Sequence, residues 1–351
     1  MTLTLPPWVA FLGVLVLMLL WLALPLIPAI MELIRPKDAA PLNAVGSDSG
    51  NLTFFAESFT ARAQREGLFN DPVPEKLADG SRVLAHSTAR PLPIQRKPFT
   101  DFVVITDNAP FAEGTEFASE CLARSTLISV PSTTFRTLLG QQDVVMAQES
   151  TVLRWVHVKG HLEVASNSRL LGRATAERSI SVAPQVVFDR LSAPVIRVGN
   201  EEVEMAPVLP IHAYERYAPD EGRVLAPQYW RVEDDFTLPA SRGLVGSVIC
   251  TGKVEVDEDS RVTGSLKAHE TLIVRAGAIV DGSVTARGPI RIEDGARVLG
   301  SVISEEAIIL EGAVIGGPGQ MATVTAPIIR VRAGAVVHGA IIAAKDGKTV
   351  V

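Results

Sequence analysis

Histidines and cysteines are the residues of this chain that could do acid–base, metal or thiol chemistry. His269 stands beside Glu270, and His338 lies close to the C-terminus, so either imidazole could act as the general base of a group-transfer reaction. No GxSxG, HExxH or Walker A pattern accompanies them. A histidine in a turn is more often a solvated side chain than a base, and we predict no catalytic residue.

Metal and thiol chemistry have little more support in the sequence. His157 and His161 are separated by a segment that contains Gly160, and on a strand two such side chains lie too far apart to bind one ion. Cys121 and Cys250 form neither a CxxC pair nor a disulfide framework. Cys250 falls in an apolar column of the repeat described below, which predicts a buried structural thiol. We predict no metal site and no cofactor.

The composition excludes one class of partner and favours one class of fold. The 351 residues carry a net charge of −6, which is not the basic footprint of a nucleic-acid-binding protein. Hydrophobic residues make up 47% of the chain but aromatic residues only 5%. Small aliphatic side chains with few aromatic ones are typical of a thin, layered β-structure, and the length allows two or three domains.

A repeat of 18 residues organises the C-terminal part of the chain. A corner sequence, Gly-Ser followed by Val or Leu, recurs at this spacing from Gly246, Gly264, Gly282 and Gly300. Aliphatic columns keep the same spacing; they are Val262, Val280 and Val298, then Val256, Val274, Ile292 and Leu310, and then Val254, Leu272, Ile290 and Ile308. Within each repeat, apolar pairs two residues apart recur about every six residues.

Such pairs predict a triangular coil with one short strand on each side, because residues two apart share one face of a strand. Stacked coils pair their strands in parallel, about 4.8 Å apart, and place equivalent side chains above one another. A helix does not fit, because a six-residue spacing does not match a period of 3.6. We therefore predict an all-β fold, a parallel β-helix solenoid of 18-residue triangular coils.

A weaker copy of the repeat predicts a first, less regular solenoid block of about five turns over residues 100–198. Its columns are Val144, Leu162 and Ile180, then Ile128, Met146, Val164 and Val182, and then Val152, Leu170 and Phe188. Residues 199–242 break the pattern and are interpreted as a connector that packs on a flank or covers a coil end. Residues 243–351 form the regular β-helix.

Residues 1–34 are predicted to be a transmembrane anchor. Their apolar run begins at Trp8 and ends at Leu24, and about 20 residues are enough to span a bilayer. No Lys or Arg precedes the run, whereas Arg35 and Lys37 follow it, so the positive-inside rule places the body of the protein in the cytoplasm. Residues 35–99 are predicted to be a tether followed by a short helix around Phe59, packed on the next domain.

On its Gly-Ser-Val corners, its 18-residue coil and the aliphatic ladder of residues 244–343, the chain resembles the bactofilins, the polymer-forming cytoskeletal proteins of bacteria. The resemblance covers the C-terminal third well and residues 100–198 loosely. It implies a right-handed β-helix, head-to-tail assembly into filaments, and a scaffold associated with a membrane. With the anchor, it implies a single-pass protein of the bacterial inner membrane. The chain departs from simple bactofilins in its anchor, its second solenoid block and its long connector.

We therefore expect a membrane-anchored, self-associating scaffold that positions envelope-related protein partners, and not an enzyme. The last coil, near Val336 and Ile341, is followed by only a short tail, so we expect its open strand edge to pair with another copy. The six-residue period is also similar to that of the hexapeptide acyltransferases. The alternative is an acyltransferase-like or carbohydrate-binding envelope protein that uses His269 and His338.

Overall fold

Two α-helices and a stack of β-coils are the main elements of the described residues. The computed structural model describes residues 7–23, 53–94, 97–199, 208–219, 223–226 and 228–351. The chain divides into two compact units, Met1–Asn51 and Leu52–Val351. The tether predicted over residues 35–51, and the flanking charges Arg35 and Lys37, lie outside the described residues.

Helix α1 is the described element of the first unit. It comprises Pro7–Ala23, 17 residues without a charged side chain. Trp8, Leu17 and Trp21 are exposed along it. Among the described residues, no helix combines the length and the apolar character that are needed to cross a membrane.

Helix α2, Phe54–Arg65, opens the second unit and packs on the coils that follow it. Ala56, Phe59 and Ala63 are its buried side chains. They join a cluster with outward-facing side chains of the first block, namely Phe102, Val104, Leu122 and Leu139. Residues 54–65 thus form a short helix that packs on the coils that follow it.

The first block stacks long strands on one side and short strands on another. Its strands are β1 (Val83–His86), β2 (Phe102–Ile105), β3 (Glu116–Ala123), β4 (Leu127–Ile128), β5 (Thr134–Gly140), β6 (Val144–Met146), β7 (Thr151–Val158), β8 (His161–Val164), β9 (Arg169–Ala176), β10 (Ser179–Val182) and β11 (Val187–Val198). One parallel ladder runs through β1, β2, β3, β5, β7, β9 and β11. The other runs through β4, β6, β8, β10 and β11. Bulges bend the long strands around a corner of the coil.

The second block has three short strands in each regular coil. After a short 3-10 helix, Ile211–Ala213, its strands are β12 (Glu215–Tyr217), β13 (Arg223–Ala226), β14 (Tyr229–Val232), β15 (Phe236–Leu238), β16 (Arg242–Leu244), β17 (Ser247–Cys250), β18 (Val254–Val256), β19 (Arg261–Val262), β20 (Leu266–Ala268), β21 (Leu272–Val274), β22 (Ile279–Val280), β23 (Val284–Ala286), β24 (Ile290–Ile292), β25 (Arg297–Val298), β26 (Val302–Ser304), β27 (Ala307–Leu310), β28 (Val314–Ile315), β29 (Ala322–Arg332) and β30 (Val336–Val350). Both blocks together make about 14 turns, which confirms the parallel β-solenoid. Its handedness stays a prediction.

The aliphatic ladder forms as predicted. Leu266 lies opposite Val284, and Val284 lies opposite Val302, in successive parallel strands. All three side chains are at most 1% exposed. Because each coil can bury its inward face only against its neighbours, these columns hold the stack together.

The Gly-Ser corners stack because their backbones touch. A Cβ on Gly282 would lie 2.5 Å from the carbonyl carbon and oxygen of Gly264, one coil below. The next residue adds a polar ladder, in which the N–H of Ser283 donates to the hydroxyl of Ser265 at 3.0 Å. At Gly282, glycine is required by this close approach and not by a left-handed backbone conformation.

One predicted column of the first block is wrong. Ile128 pairs with Val145 instead of Met146 and is 49% exposed, while its neighbour Leu127 is buried. A bulge of β3 against β5 makes this coil one residue shorter than the repeat. Since side chains alternate along a strand, a shift of one residue turns Ile128 to the outer face.

The segment that we interpreted as a connector continues the coil where it is described. Trp230 pairs with Val248, and Phe236 pairs with Val254, in the ladders of the second block. Aromatic side chains replace aliphatic ones in these columns, and Gln228 precedes the strand where the next coil has Gly246. These substitutions hid the repeat.

Candidate self-association site at the coil ends

The last strands of the two blocks lie against each other. β11 ends the first block and β30 ends the second, and the two pair along most of their length. The pairing is antiparallel, from Val187 opposite Lys348 to Arg197 opposite Val336. Successive coils within each block pair in parallel, so the direction of the stack reverses at this contact. We call it the joint.

Backbone contact and apolar burial hold the joint together. Leu191 lies opposite Ile341, and neither side chain is exposed. Gly347 lies against Phe188, and a Cβ at this position would come within 2.4 Å of the carbonyl oxygen of Phe188. The two strands therefore approach as closely as strands within one block, and only glycine fits at that point.

Two polar side chains complete the joint. The hydroxyl of Thr349 accepts a hydrogen bond from the N–H of Val186 at 2.9 Å. His338 Nδ1 lies 3.2 Å from the carbonyl oxygen of Pro194, and because a carbonyl only accepts, Nδ1 carries the proton. Burial lowers the pKa of His338, and the positive charge of Arg197 lowers it further.

The coil end that the sequence predicts to be open is therefore closed. Val336, Val337, Ile341 and Ile342 form the expected edge, yet they belong to β30 and pair with β11. The expected short tail continues β30 and pairs with both β29 and β11. The pairing of β30 with β11 is antiparallel and joins segments that are distant in sequence. Such a pairing produces no periodic pattern, so the 18-residue repeat could not reveal it.

Where the structure describes the chain, the first coil of the second block keeps a free edge. Among the described residues, β12 pairs only with β16, and β15 pairs only with β18. The N–H of Phe236 donates to Lys253 at 2.8 Å, and the carbonyl of Leu238 accepts from Asp257 at 2.9 Å. Because alternate residues of a parallel strand bond to opposite sides, the N–H and carbonyl of Thr237 point away from β18.

The first coil of the first block is partly covered by the chain that precedes it. Lys76 and Arg82 form an antiparallel bridge. The N–H of Val83 donates to the carbonyl of Glu75 at 2.9 Å. The segment before β1 thus folds back along the start of this strand, which leaves the free edge of β12 and β15 as the better candidate for pairing between copies.

Comparison with known families decides what these coils are. A family model described as bactofilin, polymer-forming cytoskeletal, matches residues 240–322. The coils of residues 240–322 are therefore similar to a bactofilin domain. No curated protein and no solved structure matches it.

The bactofilin match covers the regular coils and stops at β29. β30 and the whole first block lie outside it, so the joint connects the bactofilin coils to a part of the chain that the family model does not describe. Bactofilins are a structural, cytoskeletal family and not an enzymatic one.

The histidines considered as candidate bases lie in different parts of the second block. His269 follows β20 inside the bactofilin match, whereas His338 lies on β30 in the joint. His157 and His161 each have a separate partner, since their Nδ1 atoms lie 2.8 Å from the Thr175 hydroxyl and 2.7 Å from the Ser179 hydroxyl. Within the described residues, no group of three or more His, Cys, Asp or Glu side chains could hold a metal ion.

Cys250 is a buried thiol in the column where the repeat places it. It lies opposite Ala268, is not exposed, and donates through Sγ to the carbonyl of Asp234 at 2.7 Å. Burial raises the pKa of Cys250. The prediction of a buried structural thiol is confirmed.

Sequence reasoning missed a ladder of ion pairs on the outer face of the bactofilin coils. Arg275 lies 2.5 Å from Glu255 and 3.0 Å from Glu293, while Arg291 lies 2.9 Å from Glu311. Hydrogen bonds from Lys253 and then from Arg275 lower the pKa of Glu255. Opposite charges about one repeat apart were the signal that would have revealed these pairs.

Proposed function

We propose that this chain is a membrane-attached scaffold of bactofilin type, and that its copies associate through the first coil of the second block. The free edge of β15, in a family described as polymer-forming, is the observation that carries this proposal. Unpaired N–H and carbonyl groups on a sheet edge pair readily with a strand of another molecule.

The joint supports this mode of association. At the joint, the last coil of the first block already pairs with the last coil of the second block through a ladder of backbone hydrogen bonds. The same chemistry between two molecules needs only a second free edge. Because the C-terminal ends of both blocks are closed within the chain, association is left to the amino-terminal ends.

Substitution of Thr237 by proline tests the edge directly. Proline removes the outward N–H of β15 but leaves the bonds of Phe236 and Leu238 to β18 in place. We expect wild-type protein to associate with rising concentration in sedimentation velocity, and T237P to need about tenfold higher concentration, since one lost hydrogen bond and a clash are worth about 1 kcal/mol or more.

Thr237→Ala is the matched control, because it shortens the same exposed side chain but keeps the N–H. It should associate like the wild type. A wild-type chain that stays monomeric at all concentrations would exclude self-association. Equal association of wild type and T237P would exclude this edge as the site.

We also propose that the apolar segment at residues 8–24 attaches the chain to the bacterial inner membrane, with the coils in the cytoplasm. The support is an uncharged helix with exposed apolar side chains, followed in the sequence by Arg35 and Lys37. A scaffold held there would position envelope-related proteins. Cross-linking in cells tests this role, and recovery of copies of this chain alone would contradict it.

A further inference from the structure

A cleft of about 650 Å³ lies between helix α2 and the bent strands β5, β7 and β9 of the first block. Five arginines and two acidic residues line it, in a chain whose net charge is −6. The cleft is therefore positively charged although the chain as a whole is negative. It does not include the free edge of β12 and β15.

Within the described parts of the chain, most of these arginines lack an acidic partner. Arg62 pairs with Asp79 at 3.0 Å, but among the described residues no carboxylate pairs with Arg65, Arg136 or Arg154. Arg136 and Arg154 lie in the same bend of neighbouring coils, where strands are about 4.8 Å apart. Like charges at that separation repel each other, and an anion between them would remove the repulsion.

A buried hydroxyl also lacks a partner in this cleft. Thr137 is 5% exposed, and its Oγ1 makes no hydrogen bond to any residue that the structure describes. The bulge of β5 against β7 lies at this residue, beside Arg136, and Thr137 lines the cleft. A buried hydroxyl without a partner is unfavourable, so its presence beside unpaired arginines indicates a missing acceptor.

The remaining wall of the cleft is apolar. Trp155 is held in place by Phe59, whose ring centroid lies 5.5 Å away in an edge-on arrangement. Leu153 and Phe55 are exposed beside it, and the guanidinium of Arg173 lies 5.0 Å above the Phe55 ring. An inorganic anion would leave these surfaces in water, whereas a ligand with an apolar group would cover them.

We propose that this cleft binds a phosphate group that carries an apolar or aromatic substituent. Planar guanidinium groups match the oxygens of phosphate, and Thr137 would donate a hydrogen bond to one of them. The same chemistry is found in a phosphorylated lipid headgroup and in a soluble phosphorylated compound, and the choice of probes distinguishes the two.

Isothermal titration of the full-length protein with four soluble probes tests the site. The probes are phenyl phosphate, dihexanoyl phosphatidic acid, dihexanoyl phosphatidylcholine and inorganic phosphate. We expect phenyl phosphate or the phosphatidic acid to bind at least about tenfold more tightly than inorganic phosphate, because only they cover the apolar wall. Tighter binding of the phosphatidic acid assigns a lipid, and tighter binding of phenyl phosphate assigns a soluble ligand.

The double substitution Arg136→Gln with Arg154→Gln should weaken binding of the preferred probe about tenfold or more, since two charge-assisted contacts are lost. Thr137→Val should weaken it less. The matched control is Arg169→Gln with Arg178→Gln, which removes two exposed arginines of the same block outside the cleft. Absence of binding by any phosphate probe, equal binding of inorganic phosphate or the phosphatidylcholine, or equal loss in the control pair would overturn the proposal.

Discussion

At the scale of single residues, His338 makes the stability of the joint depend on pH. The residue is 8% exposed and its Nδ1 donates to the carbonyl of Pro194, so a second proton could enter only at Nε2. Burial and Arg197 both oppose the resulting charge and hold the pKa below its ordinary value of 6.5.

This shift predicts that acid weakens the protein. A histidine whose pKa is lower in the folded than in the unfolded chain stabilises the fold fully above about pH 6.5, and that stability is lost as the pH falls below it. His157, whose pKa burial also lowers, acts in the same direction. His338→Gln keeps a donor for Pro194 but does not titrate, so its melting temperature should fall less between about pH 7.5 and pH 5.5 than that of the wild type.

The control for this comparison is His269→Gln, which changes a histidine outside the joint. Thermal melts at several pH values are the measurement. Parallel curves for the wild type and H338Q would mean that His338 does not contribute to the acid sensitivity.

At the scale of elements, α1 differs from the coils because it is apolar and uncharged, and its role can be tested on its own. Its 17 residues contain no charge, and Val14 and Leu17 are exposed near its centre. An arginine at the centre of a membrane-inserted helix costs about 2.5–3.5 kcal/mol, so Val14→Arg with Leu17→Arg should release the protein from the membrane.

Alkaline extraction of cell membranes measures this release. The wild type and a control with Val14→Leu and Leu17→Ile should stay in the pellet, while the arginine variant should move to the supernatant. Equal extraction of all three proteins would show that this helix is not the attachment.

The ladders within each block were predictable, because a residue such as Val284 repeats the chemistry of its neighbours at a fixed spacing. Ile128 was misplaced because a single bulge changes the parity of a strand without changing its composition. The arginine cleft was not predictable as a site, since it needs α2 and a bend in β5 and β7 to meet. The 18-residue spacing of Arg136 and Arg154 was its only trace in the sequence.

At the scale of the whole molecule, the joint connects two blocks that are each stabilised by their own core columns. Gly347→Val should disrupt it, because the added side chain would overlap the backbone of Phe188. We expect hydrogen exchange to become faster at the amides of β11 and β30, while β21, inside the bactofilin coils, stays protected.

Gly317→Val is the control for this variant. Gly317 lies in the exposed loop before β29, and a Cβ there would meet nothing within 4 Å. It should exchange like the wild type. Unchanged protection of β30 in G347V would show that the joint tolerates the added volume.

Because the joint is antiparallel, the two blocks meet at their last coils and run in opposite directions from it. Each block spirals away from the centre, so both outer faces are the beginnings of coils and no face is an ending. A filament in which each outer face met the same face of a neighbouring copy would therefore join start to start at every contact. Such a filament would have no polarity, so its two directions would be equivalent for anything that grows or moves along it.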